Sequence, residues 1–289
     1  MHDPQGLDLR APGNAEARGR LAALLDQRLD RVDASEVGIV VAHPDDEAIG
    51  CGAQLARWAG ATPVLVTDGA PANLEDARAA GFATAAEYAH ARRRELDNAL
   101  DIAGVPRGAL VTLDIPDQQV ARRLVEVTPR LMQVVEARKL GVLFTHAYEG
   151  GHPDHDATAF AVHAAAQLLE AKGRALLIVE MPYYRADGGG IALQSFAPVP
   201  GVEDIAVHLQ LEQQALKRRM MNAHRTQAAI LAPFEVATEH FRIAPRYDFS
   251  ELPNDGRLYY EQQDWGLTGA EWCALARAAL VELGLEGRP

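Results

Sequence analysis

A three-layer α/β fold, with a mostly parallel sheet and helices on both faces, is predicted by three observations. Short apolar runs rich in β-branched residues recur at 37–42 (VGIVVA), 63–67 (PVLVT), 109–115, 142–145 and 175–181 (ALLIVEM). Such runs are the signature of strands buried on both faces. Helix-length stretches separate them at 47–58, 85–103, 118–139 and 157–171, the alternation that builds a parallel sheet. The 289 residues, 48% apolar and 24% charged, suffice for one large core.

The elements follow in order. The first dozen residues are polar and contain Gly and Pro, which suits a loose arm, and 15–31 carries Leu21, Leu24, Leu25 and Leu29 at helical spacing. The first strand runs straight into a polar segment, His43 to Asp46, and then a helix. The 85–103 helix closes on Gly104 in the position after its C-cap. Pro129 is expected to kink or split the 118–139 helix. After about Arg185 the pattern changes: a DGGG loop at 187–190 and a Pro-rich piece lead to an alternating, exposed strand at 202–209. A long helix at 211–231 and a last one at 268–283 follow. These features divide the chain into an arm and helix (1–34), a catalytic α/β domain (35–235) and an extension packed on the core (236–289).

Acidic residues outnumber basic ones by 40 to 28, a formal charge of −12. Nucleic acid and anionic membranes need clustered Lys and Arg, and the run Arg92-Arg93-Arg94 is too small to supply them. The N-terminus has no apolar segment of the secretory type and no stretch reaches ~18 apolar residues, so a cytoplasmic location without a membrane span is expected. Cys51 and Cys273 belong to no CxxC pair and read as small buried apolar residues.

The chemistry concentrates in two clusters. His43-Pro44-Asp45-Asp46-Glu47 follows the first strand, and His152-Pro153-Asp154-His155-Asp156 follows the fourth strand and a Gly150-Gly151 turn. In a parallel sheet the active site lies at the carboxyl ends of the strands. Imidazole and carboxylate from two such loops are what a mononuclear metal site requires, with a position left for water. The competing reading makes each cluster a helix cap, with Asp45, Asp46 or Asp156 as N-cap. The repetition of His-Pro-Asp at two strand ends favours the metal.

AHPDDE at 42–47 and HPDHD at 152–156 resemble the paired motifs of the PIG-L/LmbE-like deacetylases. Thr67-Asp68-Gly69 is similar to the family's T-D-G segment. Arg92-Arg93-Arg94-Glu95 with Ala99 and Ala103-Gly104 is similar to its R-x-x-E-x-x-x-A helix. Pro116-Asp117 resembles its P-D-G, with Gln118 in place of the glycine, and Lys217 with His224-Arg225-Thr226-Gln227 resembles its K…H-x-[ST]-Q helix. The resemblance spans 37 to about 230 and carries nothing beyond about 235. It implies a Rossmann-like, LmbE-like fold, zinc held by His43, Asp46 and His155, Asp45 as general base, His152 stabilising the tetrahedral intermediate, and Asp154 orienting His152. In such a site zinc lowers the pKa of bound water, and an adjacent carboxylate moves the proton. Two His and one Asp also accept Fe2+ or Co2+.

Arg92 and Asp117 are candidates for gripping a substrate's hydroxyls, Arg92 alternatively pairing with Glu95 along its own helix. Thr67 and His224 join the substrate-binding candidates through their motifs, although His224 alternatively pins the long helix to the core. His146, ending the fourth strand, is read first as a hydrogen-bonded structural residue, and Glu47 as an acid at a helix start. The expected activity is removal of an N-acetyl group from an amino-sugar-containing small molecule. A non-sugar N-acyl substrate is the alternative, and a non-catalytic metal binder a more distant one, since a binder has no use for Asp45 and His152. The 187–190 loop and the aromatic stretch 241–260 are expected to close over the site and set substrate choice. The resemblance also leaves room for a homo-oligomer. A nucleotide-binding Rossmann enzyme is excluded, because no G-x-G-x-x-G follows the first strand.

Overall fold

A computed structural model describes residues 14–263 and 265–286. Seven strands form its main sheet: β1 (Val37–Val41), β2 (Thr62–Thr67), β3 (Val111–Ile115), β4 (Val142–His146), β5 (Leu177–Met181), β6 (Ile205–His208) and β7 (Thr238–Ile243), in the order β6-β7-β5-β4-β1-β2-β3. The first five are parallel to one another, and β7 and β6 add an antiparallel edge. Every residue of β1, β2, β4 and β5 is buried, in keeping with their largely apolar runs. Alternate residues feed opposite faces. Ile39 and Val41 join Phe144, Val179 and Met220 on one side, while Val40 joins Leu143, Val162 and Trp272 on the other.

The longer helices are α1 (Ala15–Leu24), α2 (Asp46–Leu55), α3 (Ala85–Ile102), α4 (Leu124–Arg138), α5 (Pro153–Glu170), α6 (Leu211–Ala223) and α7 (Gly269–Glu282). The expected arm at 1–13 lies outside the described residues. The strand order reverses at β1, with β2 and β3 to one side and β4 and β5 to the other. That is the switch point where open α/β sheets bind ligands, and both His-Pro-Asp clusters leave from it.

Several boundaries differ from expectation. The first helix stops at Leu24 instead of continuing to 31. The 118–139 helix does not break at Pro129. It opens with a 3-10 turn at Val120–Arg123, and α4 then runs through the proline. The 211–231 helix ends at Ala223, because Glu47 takes the His224 ring and Glu95 takes the N–H and hydroxyl of Thr226. Residues 238–243 are a strand inside the main sheet, between β6 and β5, so the expected extension after 235 begins with core. The DGGG segment is the turn of a small hairpin, Tyr184–Asp187 with Gly190–Leu193.

One break inside an element is repaired by distant residues. Cys51 leaves helical geometry within α2 (φ −148°, ψ 27°). The Ala53 and Gln54 N–H groups donate to the Glu239 carboxylate, Lys217 Nζ pairs with Glu239 at 3.0 Å, and the same Nζ donates to Ile49 O at 2.7 Å. Lys217 is fully buried, so it braces the helix that begins at the site.

Candidate metal centre

His43 leaves the carboxyl end of β1, and Asp46 opens α2 three residues later. His155 sits in the first turn of α5, beyond the end of β4. His43 Nδ1 and His155 Nε2 approach to 3.2 Å. Asp46 closes the triangle, with Oδ2 3.4 Å from His43 Nδ1 and Oδ1 3.4 Å from His155 Nε2. A tetrahedral ion with ligand bonds near 2.0–2.2 Å sets its ligand atoms about 3.3–3.5 Å apart. Two ring nitrogens and a carboxylate at these separations therefore fit a divalent metal, and the donor set suits zinc, iron(II) or cobalt.

The surrounding shell fixes each donor. The His43 N–H donates to Asp46 Oδ2 at 2.7 Å, and His146 Nε2 stands 3.5 Å from the same oxygen. His43 turns its other nitrogen, Nε2, to Asp117 Oδ1 at 3.2 Å, with Asp154 Oδ2 at 3.6 Å. A carboxylate on the far nitrogen orients a ligand imidazole and raises its basicity. Burial lowers the His43 pKa, yet Asp117, Asp154 and Asp46 outweigh it and hold the pKa well above the usual value. His43, Asp117 and His152 form a second trio whose donor atoms also converge.

Asp45 has φ 144° and ψ −26°, a conformation that strains any residue with a side chain. Its N–H donates to Glu47 Oε2 at 3.1 Å, and Arg92 Nη2 donates to its Oδ2 at 2.9 Å. Among the described residues nothing donates to Oδ1. Burial pushes the Asp45 carboxyl up to about 7, against the pull of Arg92. Asp45 occupies the N-cap position of α2 without capping it, and the carboxylate of Asp156, the other expected cap, instead accepts the Glu149 and Gly150 N–H groups.

His152 is the N-cap of α5. The Asp154 N–H donates to its Nδ1 at 3.0 Å. A backbone N–H can only donate, so Nδ1 is bare and Nε2 carries the proton. Burial and the neighbouring His43 push the His152 pKa well below its usual value, so the resting ring is neutral. This corrects the expectation that Asp154 orients His152 through its carboxylate, which points elsewhere and accepts the Gln118 and Val120 N–H groups. Asp154 meets His152 through its backbone and ties the segment after β3 to α5. Burial pushes its carboxyl up to about 6.

The profile of the GlcNAc-PI de-N-acetylase family, PIG-L, matches residues 39–166, which contain both clusters. Residues 39–166 are a PIG-L family domain. The structure is similar to three solved deacetylases. For the A40926 pseudoaglycone deacetylase the identity is 20%, over 75% of this chain and 99% of that chain, with TM-score 0.58. For a zinc-inhibited form of teicoplanin deacetylase it is 18%, over 73% and 98%, with TM-score 0.57. For the N,N′-diacetylchitobiose deacetylase of Pyrococcus horikoshii it is 19%, over 79% and 92%, with TM-score 0.54. At these identities the likeness is one of fold. No curated protein matches the chain in sequence.

Exposure sorts the remaining residues of the PIG-L domain and its neighbours. His43 and His152 keep 7% of their surface and Asp45, Arg92 and Asp117 keep 5%, so the site opens over these five. Thr67 (1%) and His224 (0%) lie behind it. The Thr67 hydroxyl donates to Ala42 O at 2.8 Å and accepts the Gly69 N–H, strapping β2 to β1. His224 contacts Glu47 Oε1 at 3.2 Å, a chain that reaches Asp45 through its backbone. Both act within the protein, contrary to the substrate contacts expected of them. Glu47, expected only to begin a helix, links the two.

Arg92 forms no pair with Glu95. Its guanidinium donates to Gly69 O at 2.6 Å, Pro44 O at 3.1 Å and Asp45, which leaves little of the fork for a ligand. Gly69 has φ +67°, and a Cβ there would stand 2.8 Å from this guanidinium, so the close approach requires glycine. Asp117 serves His43 and also reaches the opening. His146 takes the structural role expected of it: the Ala42 N–H donates to its Nε2 at 2.9 Å, and its ring stacks on His155 at 4.0 Å.

Sequence reasoning missed two aromatic residues beside the site, Trp265 and Tyr184. Trp265 lies 4.6 Å from the His152 ring and Tyr184 5.5 Å from the His155 ring. The Tyr183 hydroxyl donates to Asp46 O at 3.0 Å. Tyr184 comes close because Gly151 permits it: a Cβ at 151 would sit 2.0 Å from Tyr184 O. Isolated aromatics in loops leave no periodic signal; the expected stretch 241–260 contains Tyr259, which stands between Tyr184 and Trp265, and the Gly150-Gly151 pair hinted at the approach of Tyr184.

Proposed function

We propose that this protein is a metal-dependent hydrolase that removes an N-acetyl group from an amino-sugar-containing small molecule. One observation carries the reading: two ring nitrogens and a carboxylate from separate strand ends meet at tetrahedral-edge distances, beside a carboxylate that binds none of them. The PIG-L profile supports the reaction class. Solved proteins of the same fold are named as deacetylases of the A40926 pseudoaglycone, of teicoplanin and of N,N′-diacetylchitobiose, which supports the amino-sugar substrate.

His43, Asp46 and His155 would hold the metal, zinc being the first candidate. A divalent ion there polarises a carbonyl and makes water a nucleophile near neutral pH. Asp45, with Oδ2 tied to Arg92, offers Oδ1 to take the proton of the attacking water and return it to the departing amine nitrogen. His152, proton on Nε2, donates a hydrogen bond towards the oxygen that gains charge, and Asp117 holds the far side of His43. The hydrophobic rim from Tyr184 to Trp265 limits the water around these groups.

Acetate release from N-acetylglucosamine conjugates and non-sugar N-acyl amides tests the proposal, using metal-reconstituted protein beside EDTA-treated and Asp45→Asn protein. Release from the sugars that disappears in both controls is expected. Release from non-sugar amides alone would keep the chemistry and replace the substrate class. No release with stoichiometric metal bound would overturn the proposal.

A further inference from the structure

Three half-buried rings, Tyr184, Tyr259 and Trp265, form an arc along the opening. Trp265 lies against His152 with a 44° tilt, Tyr259 stands edge-on to Trp265 at 6.0 Å, Tyr184 stands edge-on to Tyr259 at 5.7 Å, and Tyr184 faces His155. All three lie outside residues 39–166. The other tryptophans are core residues, Trp58 at 3% exposure and Trp272 at 0%. An aromatic ring left half open beside a site keeps apolar area that a ligand can cover. The polar groups of the site that keep some exposure include Asp45, Asp117 and Arg92, each at 5%.

A site that brings partly exposed aromatic rings together with charged groups matches a pyranose, which presents a C–H face and a rim of hydroxyls. We propose that Tyr184, Tyr259 and Trp265 form the wall on which the sugar ring of the substrate lies, with Trp265 the specificity-determining residue. Trp265 also clamps His152, whose other side meets the His43 ring edge-on at 4.5 Å, so a sugar on this wall has its acylated nitrogen beside the donor His152 Nε2–H. The inference rests on the amino-sugar reading and deepens it by assigning the sugar contact to the chain beyond residue 166.

Two measurements test it on the full chain. The first is tryptophan emission of the Asp45→Asn protein titrated with a methyl glycoside of N-acetylglucosamine and with N-acetylbutylamine. The sugar is expected to change the emission and the open-chain amide to leave it unaltered, with the response absent when Trp265→Phe is added. No response to saturating sugar would overturn the wall. The second is steady-state acetate release by Trp265→Ala, Trp265→Phe and Tyr259→Ala. Trp265→Ala and Tyr259→Ala are expected to raise KM for the sugar about tenfold with under about a twofold change for the amide, and Trp265→Phe to restore most of the loss. An equal fall in kcat for both substrates in Trp265→Ala would overturn the wall, leaving Trp265 only a support for His152. If wild-type protein releases no acetate from any compound, the deacetylase reading fails and the emission titration alone decides the wall.

Discussion

The chain contains His-Pro-Asp twice at the same end of one sheet, and the two copies do different work. The difference lies in where the helix begins. After the first copy α2 starts at Asp46, three residues beyond His43, and after the second α5 starts at Pro153, one residue beyond His152. The first copy is therefore a loop, with Asp45 forced to φ 144° and its carboxylate delivered to Arg92. The second is a regular helix start, with His152 as N-cap and the Asp154 carboxylate holding the segment after β3. One tripeptide supplies a candidate ligand and base in one register, and a hydrogen-bond donor and a strut in the other.

The largest expected contrast is between the histidines. His43→Ala removes a ring shared by both trios and should abolish stoichiometric metal binding, with acetate release falling by about a thousandfold or more. His152→Ala should keep the metal and lose about 10²–10³ in kcat, the cost of one oxyanion donor. Metal content by mass spectrometry beside turnover separates them. Equal metal loss in both variants would break the comparison.

The aspartates come next. Asp45→Asn should lower kcat about 10²–10⁴-fold with metal content unchanged. Asp154→Asn keeps an oxygen for one of its two backbone partners, and it should weaken metal affinity about 10–100-fold through His43. Competition with a chromogenic chelator measures the affinity. A kcat loss in Asp154→Asn at saturating metal, as large as that in Asp45→Asn, would show that the two do the same job.

Much of this was legible before any coordinates. The runs at 37–42, 63–67, 142–145 and 175–181 marked four strands of the parallel core, because a strand buried on both faces is mostly apolar. The meeting of the two His-Pro-Asp clusters followed from the rule that such sheets gather chemistry at their carboxyl ends, while the choice of His43 and His155 within them came from the resemblance to the PIG-L/LmbE-like deacetylases. The jobs of Asp154, Arg92 and His224 were not legible. Each is set by backbone groups or carboxylates 23 to 177 positions away, which no local pattern encodes. The strand at 238–243 was missed because TEHFRI opens with three polar residues, so neither an apolar run nor a full alternation marks it, and its buried Glu239 and Arg242 are accommodated by distant partners, among them Lys217 and Glu180.

The smallest contrast is between the prolines, and it tests the register argument most directly. Pro153 occupies the first turn of α5, where a missing N–H costs no helical bond. Its replacement by alanine loses only the restriction of the unfolded chain, about 0.4–1 kcal/mol, and should leave acetate release unaltered. Pro44 sits in the strained loop, its carbonyl held by Arg92 and its Cδ so close to Gly69 that a Cβ there would be 2.7 Å away. It also confines the preceding residue, His43, to extended backbone. Pro44→Ala should therefore cost more stability than Pro153→Ala and weaken metal binding as well. Thermal unfolding and chelator competition on the two variants report both quantities. If Pro153→Ala disturbs the metal as much as Pro44→Ala, then the helix register is not what divides the two motifs.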